Sequence, residues 1–184
     1  MASRGVYIPC ATVPERLLKR SLDWGHAVAD YYRDRPSYHT LINEIDRKPE
    51  VLAHGKAGEA AFAIINRLDP EREVRWDIDI AGTHWDVMLN GCRVDAKTVS
   101  RLYPLCYLMW AVGKWPGEFE RNDFDVLALM AGEGATFVWH GWVSKARFRT
   151  GHRIALGHRH LVDGTPYMED HELEPPRVWP DIPT

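Results

Sequence analysis

Cysteine is scarce in this chain. Only Cys10, Cys92 and Cys106 occur, an odd number at irregular spacing with no CxxC. This argues against a disulfide framework, a ribbon of paired cysteines on zinc, and an iron–sulfur cluster. Free thiols in a reducing cytoplasm fit best. Long apolar runs are also missing. The most apolar stretch, Leu102 to Val112, is too short to span a bilayer. The opening segment MASRGVYIPCATVPER holds no apolar core of the signal-peptide kind, so we expect a cytoplasmic protein without a membrane partner. Neither GxGxxG nor GxxxxGK[ST] follows a strand, which disfavours a doubly wound nucleotide fold. Ser144 has no convincing His and acid partners, so a serine hydrolase is not favoured either. Excess positive charge is absent too. With 23 Lys and Arg against 26 Asp and Glu, the net charge is −3, and any surface for a polyanion must be a local patch.

What is present is an ordinary globular composition of 184 residues, 45% apolar and 27% charged, enough for one domain with a sizeable core. Eight tryptophans add much aromatic area. One local basic patch exists. Between Lys145 and Val162 no Asp or Glu occurs, while Lys145, Arg147, Arg149, Arg153 and Arg159 are basic and His152, His158 and His160 add charge at lower pH. It reads either as a solvated surface or as a phosphate-contacting one.

Residues 1–48 read as an N-terminal helical extension. Thr12 with Glu15 three residues on gives a capping-box start, and Leu17, Leu18, Leu22, Ala27, Val28, Tyr31 and Tyr32 follow helical spacing. Arg35-Pro36 breaks that helix, and a short one is expected at 40–46. Residues 49–184 hold the core and a loop-rich C-terminal tail. A helix is expected from Pro49 to Leu68, with a narrow stripe of Ala57, Ala60, Ala61, Ile64, Ile65 and Leu68 suited to close approach to a sheet. Alternation then predicts three strands, at Val74–Ile80, His84–Leu89 and Cys92–Lys97, the last two joined by the hairpin signal Asn90-Gly91. A helix and loop at 101–122, strands at Phe124–Ala131 and Thr136–Val143, and a helix capped by Ser144 complete the reading. The class is mixed α/β.

Counting back from the Asn90-Gly91 turn places Leu89 near Cys92, Met88 near Arg93 and Asp86 near Asp95. Opposed residues of a hairpin share a face, so Asp86 and Asp95 should stand side by side with Lys97 two residues along. Facing carboxylates repel and destabilise a plain sheet. A divalent cation removes the conflict, and Mg²⁺ prefers a few carboxylate oxygens with water and phosphate. The carbonyl of Ala96 could complete its shell. Lys97 would then position a water or stabilise charge developing on a phosphate. Taken alone, the Asp-Ala-Lys string is weak, and a solvated hairpin face is its bland explanation.

These residues resemble the PD-(D/E)XK nuclease superfamily, whose signature is an acid on a helix, an acid on a strand, and (D/E)-x-K on the next strand. Asp86 matches the strand acid, Asp95-Ala96-Lys97 the tripartite end, and Glu59 in Lys56-Ala57-Gly58-Glu59-Ala60-Ala61 the helical acid. The resemblance covers roughly Pro49 to Phe148. The proline that often precedes the strand acid is replaced by Trp85. The likeness implies a restriction-endonuclease-like mixed central sheet flanked by helices. It implies catalytic Glu59, Asp86, Asp95 and Lys97, and Mg²⁺ or Mn²⁺ held by Asp86, Asp95, Ala96 and Glu59. It also implies phosphodiester hydrolysis in DNA, with a homodimer as a candidate assembly. Two alternatives stay open: a catalytically inactive nucleic-acid-binding member of the fold, and a partner-binding structural protein using the aromatic segment 103–115.

Overall fold

The computed structural model describes residues 8–33, 48–78, 85–100, 106–111 and 114–176. The chain opens with a short strand, β1 (Cys10–Thr12), and a helix, α1 (Glu15–Arg33). Thr12 does not cap that helix. It pairs with Thr136 in the sheet, and the Pro14 carbonyl accepts from Leu17 and Leu18 N–H, which moves the helix start two residues on. The break at Arg35-Pro36 and the short helix at 40–46 lie outside the described residues. Next come α2 (Pro49–Ile65), α3 (Pro70–Glu73), β2 (Val87–Leu89) and β3 (Cys92–Val99). They are followed by β4 (Tyr107–Met109), α4 (Gly117–Arg121), β5 (Val126–Glu133), β6 (Thr136–Ser144) and α5 (Lys145–Gly151). The chain closes with β7 (Arg153–Ile154), β8 (Pro166–Glu169) and a 3₁₀ turn at Asp170–Glu172.

Five strands form a mixed sheet in the order β1-β6-β5-β3-β2, in which β3 and β5 run parallel and the other pairs antiparallel. Parallel pairing puts β5 in the middle, buried on both faces, and its run VLALMAG is apolar accordingly. On one face, α2 packs against the sheet and against α1. Residues Ala57 to Ala63 are consequently buried without interruption, a pattern broader than the stripe expected from the sequence. Leu17, Phe62, Val94, Ala128, Met130 and Trp139 share this core. The fully buried Phe62 alone contributes about 1.5–3 kcal/mol by leaving water. On the other face, Trp110, Phe119, Phe124 and Phe148 pack on Leu127, Leu129 and Val143. The molecule is therefore mixed α/β, a curled sheet with helices on its flanks. Among the described residues no helix is long and apolar enough to cross a membrane.

Three expectations are corrected. The alternating stretch from Val74 does not build a strand over its described part: Val74 makes one bridge to Val87, and residues 75–78 join no ladder. Side chains take its carbonyls instead, Lys56 that of Arg75 and Trp24 that of Asp77. Residues 79–84 lie outside the described set. The segment expected as helix and loop contributes β4, and the tail expected as loop contributes β7 and β8. Together they form a second sheet, ordered β4-β8-β7.

Candidate active site

The site starts from the turn. Asn90 and Gly91 both hold positive φ, 50° and 83°, the pair of conformations a type I′ loop requires. That turn sets Leu89 opposite Cys92, Met88 opposite Arg93 and Val87 opposite Val94. One step further the plain ladder ends. Asp86 N–H donates to the Val94 carbonyl at 2.8 Å, and Asp86 Oδ2 accepts from Ala96 N–H at 2.8 Å. A carboxylate thus takes the place of a backbone carbonyl along the edge of β3. Because β2 stops at Val87 while β3 runs to Val99, no described strand covers that edge beyond Val94. In a strand the N–H and C=O of one residue point to the same side, so the Ala96 carbonyl faces this edge too.

Helix α2 reaches the same edge from the inner face. A Cβ on Gly58 would stand 2.0 Å from Thr98 Oγ1, so only glycine lets α2 seat this closely on β3. Glu59 follows directly and is buried. Its Oε2 accepts from Lys56 Nζ at 2.5 Å. The same ammonium donates to the Arg75 carbonyl at 2.8 Å and lies 4.3 Å from the Trp24 ring centroid. On β3, Lys97 Nζ is 2.7 Å from Asp95 Oδ1 and 4.5 Å from the Trp110 ring centroid. The Lys97 side chain is 36% exposed against 4% for Asp95, so the cluster opens to solvent past Lys97.

The electrostatics follow from this crowding. Burial, then the neighbouring Glu59 and Asp95, push the Asp86 carboxyl well above its ordinary range. Burial also raises Glu59; Lys56 opposes the rise and Asp95 adds to it. Burial disfavours the Lys97 ammonium, but the combined pull of Asp95, Asp86 and Glu59 outweighs it and holds its pKa above the usual lysine value. Three acids and two lysines leave one net negative charge when all are ionised.

All four residues named from the sequence are thus brought into one electrostatic cluster. Lys56 was missed as a member, because an isolated lysine on a helix reads as solvated. The available signal was its spacing, since Lys56 and Glu59 are three apart and share a helix face.

The basic stretch behaves differently. Lys145 donates to the carbonyls of Glu120 and Asn122. Arg147 pairs with Glu174, Arg149 with Glu120, and Arg153 with Glu169 and Glu172. Arg159 is exposed, and among the described residues it has no acidic partner. Asp123 and Asp125 engage Arg93, not the cluster. Arg93, Lys145 and Arg149 line a cleft of about 700 Å³ together with Glu120 and Asp125, so two of its three cations have an acid beside them. No family model, curated protein or solved structure matches this chain.

Proposed function

We propose that this protein is a metal-dependent nuclease of the PD-(D/E)XK kind, hydrolysing phosphodiester bonds, with DNA as the substrate. The observation that carries the reading is the meeting of Glu59, Asp86, Asp95 and Lys97 at a sheet edge that no described strand covers. The order in which the chain supplies them, helix acid, strand acid, then Asp-x-Lys, agrees with the resemblance. So does a mixed sheet with α2 packed across it. A restriction-endonuclease-like fold is part of this proposal.

The donor set suits a hard divalent ion. Asp86 and Glu59, raised by burial and further by their acidic neighbours, gain from a cation, and oxygen ligands of this kind select Mg²⁺ or Mn²⁺. Asp86, Asp95, the Ala96 carbonyl and Glu59 would hold it. When bound, such an ion supplies a water of lowered pKa and polarises a phosphoryl oxygen. The chain's own residues do the rest. Ala96 N–H fixes the Asp86 carboxylate. Lys56 holds Glu59 in place from inside the fold. The neighbouring carboxylates favour the Lys97 ammonium, which suits a cation that orients a water or offsets negative charge on the phosphate.

One observation favours the non-catalytic alternative: the acids and lysines already pair with each other, as in a purely structural ion cluster. Assays with Mg²⁺ or Mn²⁺ on linear, circular, branched and single-stranded DNA, and on RNA, separate the readings. Metal-dependent cleavage that Asp95→Asn abolishes, with circular dichroism unchanged, supports the nuclease. Binding that weakens steeply with salt, without cleavage of any substrate, supports the inactive binder.

A further inference from the structure

A second cluster lies where the small sheet meets the large one. Cys106 immediately precedes β4, Asp170 immediately follows β8, and His140 belongs to β6. The β5–β6 register passes from Leu129↔Gly141 to Met130↔Trp139, so His140 is the extra residue of a bulge. Bulges re-aim side chains. This one sends the imidazole to the ends of the small sheet: His140 Nε2 is 3.6 Å from Cys106 Sγ, and His140 Nδ1 is 3.5 Å from Asp170 Oδ2. The other two residues are locked together, since Asp170 N–H donates to the Cys106 carbonyl at 3.0 Å and Asp170 Oδ2 faces Cys106 N–H at 3.4 Å. One donor atom from each residue falls within 4.8 Å of the others. Cys106 is buried, while the His140 and Asp170 side chains keep 15% and 18% exposure, which leaves a way in from solvent.

We infer that Cys106, His140 and Asp170 form a second metal site, for a thiolate-binding transition ion of the Zn²⁺ class, which joins the small sheet to the large one. A sulfur, an imidazole nitrogen and a carboxylate oxygen are the donors Zn²⁺ takes. With Zn–S of about 2.3 Å and Zn–N of about 2.0 Å, the edge between two tetrahedral ligands is about 3.5 Å, close to the separation of Sγ and Nε2 here, while Asp170 Oδ2 lies nearest the other ring nitrogen, Nδ1. Three protein ligands leave a fourth position to water. The ligands come from three separate segments, so the ion acts on the fold. This site shares no residue with the carboxylate cluster and does not depend on the nuclease reading. Mg²⁺, which disfavours sulfur, would not fill it.

The test is titration of the chelator-treated, full-length protein with Co²⁺, followed by the near-ultraviolet absorption of a thiolate–cobalt bond. One equivalent should produce that band in the wild type and equally in the C10S/C92S variant, where Cys106 is the remaining thiol. Cys106→Ser and His140→Gln should each remove it, whereas Asp95→Asn should leave it intact. In the Asp95→Asn background, where the carboxylate cluster is disabled, Zn²⁺ at a hundred times its Kd should raise the Tm by about 5–10 °C, and adding His140→Gln should remove that rise. Absence of a thiolate band in the wild type overturns the proposal, as does a band that persists in Cys106→Ser. Rapid alkylation of Cys106 that depends on His140, with no metal uptake, also overturns it and identifies a nucleophilic thiol instead.

Discussion

Lys56 and Glu59 form a pair with side chains only 5% and 10% exposed. Removing one partner from such a pair strands a buried charge, which costs about 3–5 kcal/mol. Lys56→Met should therefore lower the urea midpoint by that much stability, and a change below about 1 kcal/mol would show that Glu59 is not held by this contact. The raised carboxyls make a second prediction. Asp86 and Glu59 carry protons further up the pH scale than ordinary acids, and a divalent ion must displace them. Calorimetry in buffers of different ionisation heat should record proton release on Mg²⁺ binding, and affinity should climb with pH until those carboxyls are ionised. A pH-independent affinity with no proton release would contradict it. Arg93 and Asp125 work in the opposite sense. The Arg93 guanidinium holds the Asp125 carboxyl below its usual value. Its stabilising effect is then present above the unfolded carboxyl pKa of about 3.9 and is lost as pH falls through the lower folded value. Arg93→Met should flatten this part of the acid unfolding curve.

At the scale of elements, the contact that positions the site is α2 on β3. Gly58→Ala would drive a Cβ into Thr98. Overpacking of this kind costs about 1–3 kcal/mol, and it would lift Glu59 from the sheet edge. Chemical denaturation should show that loss, and metal affinity should fall with it; an unchanged affinity would mean Glu59 is not a ligand. The legible elements were those with a strong local code. Asn90-Gly91 specifies both turn type and register, so the pairing of Val87–Leu89 with Cys92–Val94 could be counted from the sequence, while Asp86, counted opposite Asp95, lies just past the ladder with its carboxylate on Ala96 N–H. The misread elements lacked one. Alternation from Val74 suited a strand, but Lys56 and Trp24 occupy its carbonyls from distant parts of the chain. The strands of the small sheet are two to four residues long, too short for periodicity to register.

At the scale of the whole molecule, the central sheet is buried on both faces, and beyond Val94 one edge of β3 is covered by no described strand. The four acid and lysine positions gather there because a tight hairpin supplies three of them and a closely seated helix supplies the fourth. Helix position relative to a sheet edge is a tertiary fact, so Glu59 was legible only through resemblance and its small-residue setting, and Lys56 only through its spacing of three from Glu59. The basic stretch shows the converse. A run free of acids along the chain meets Glu120, Glu169, Glu172 and Glu174 in space, so charge counted along the sequence overstates the field at the surface. The most direct test of the central claim measures Mn²⁺ binding and DNA cleavage on the same samples of wild type, Lys97→Met and Asp95→Asn. The expected result is metal-dependent cleavage by the wild type, retained Mn²⁺ binding with a rate lowered about 10²–10³-fold in Lys97→Met, and loss of both in Asp95→Asn. Cleavage that survives both substitutions, or a wild type that binds Mn²⁺ and cleaves nothing, would contradict it.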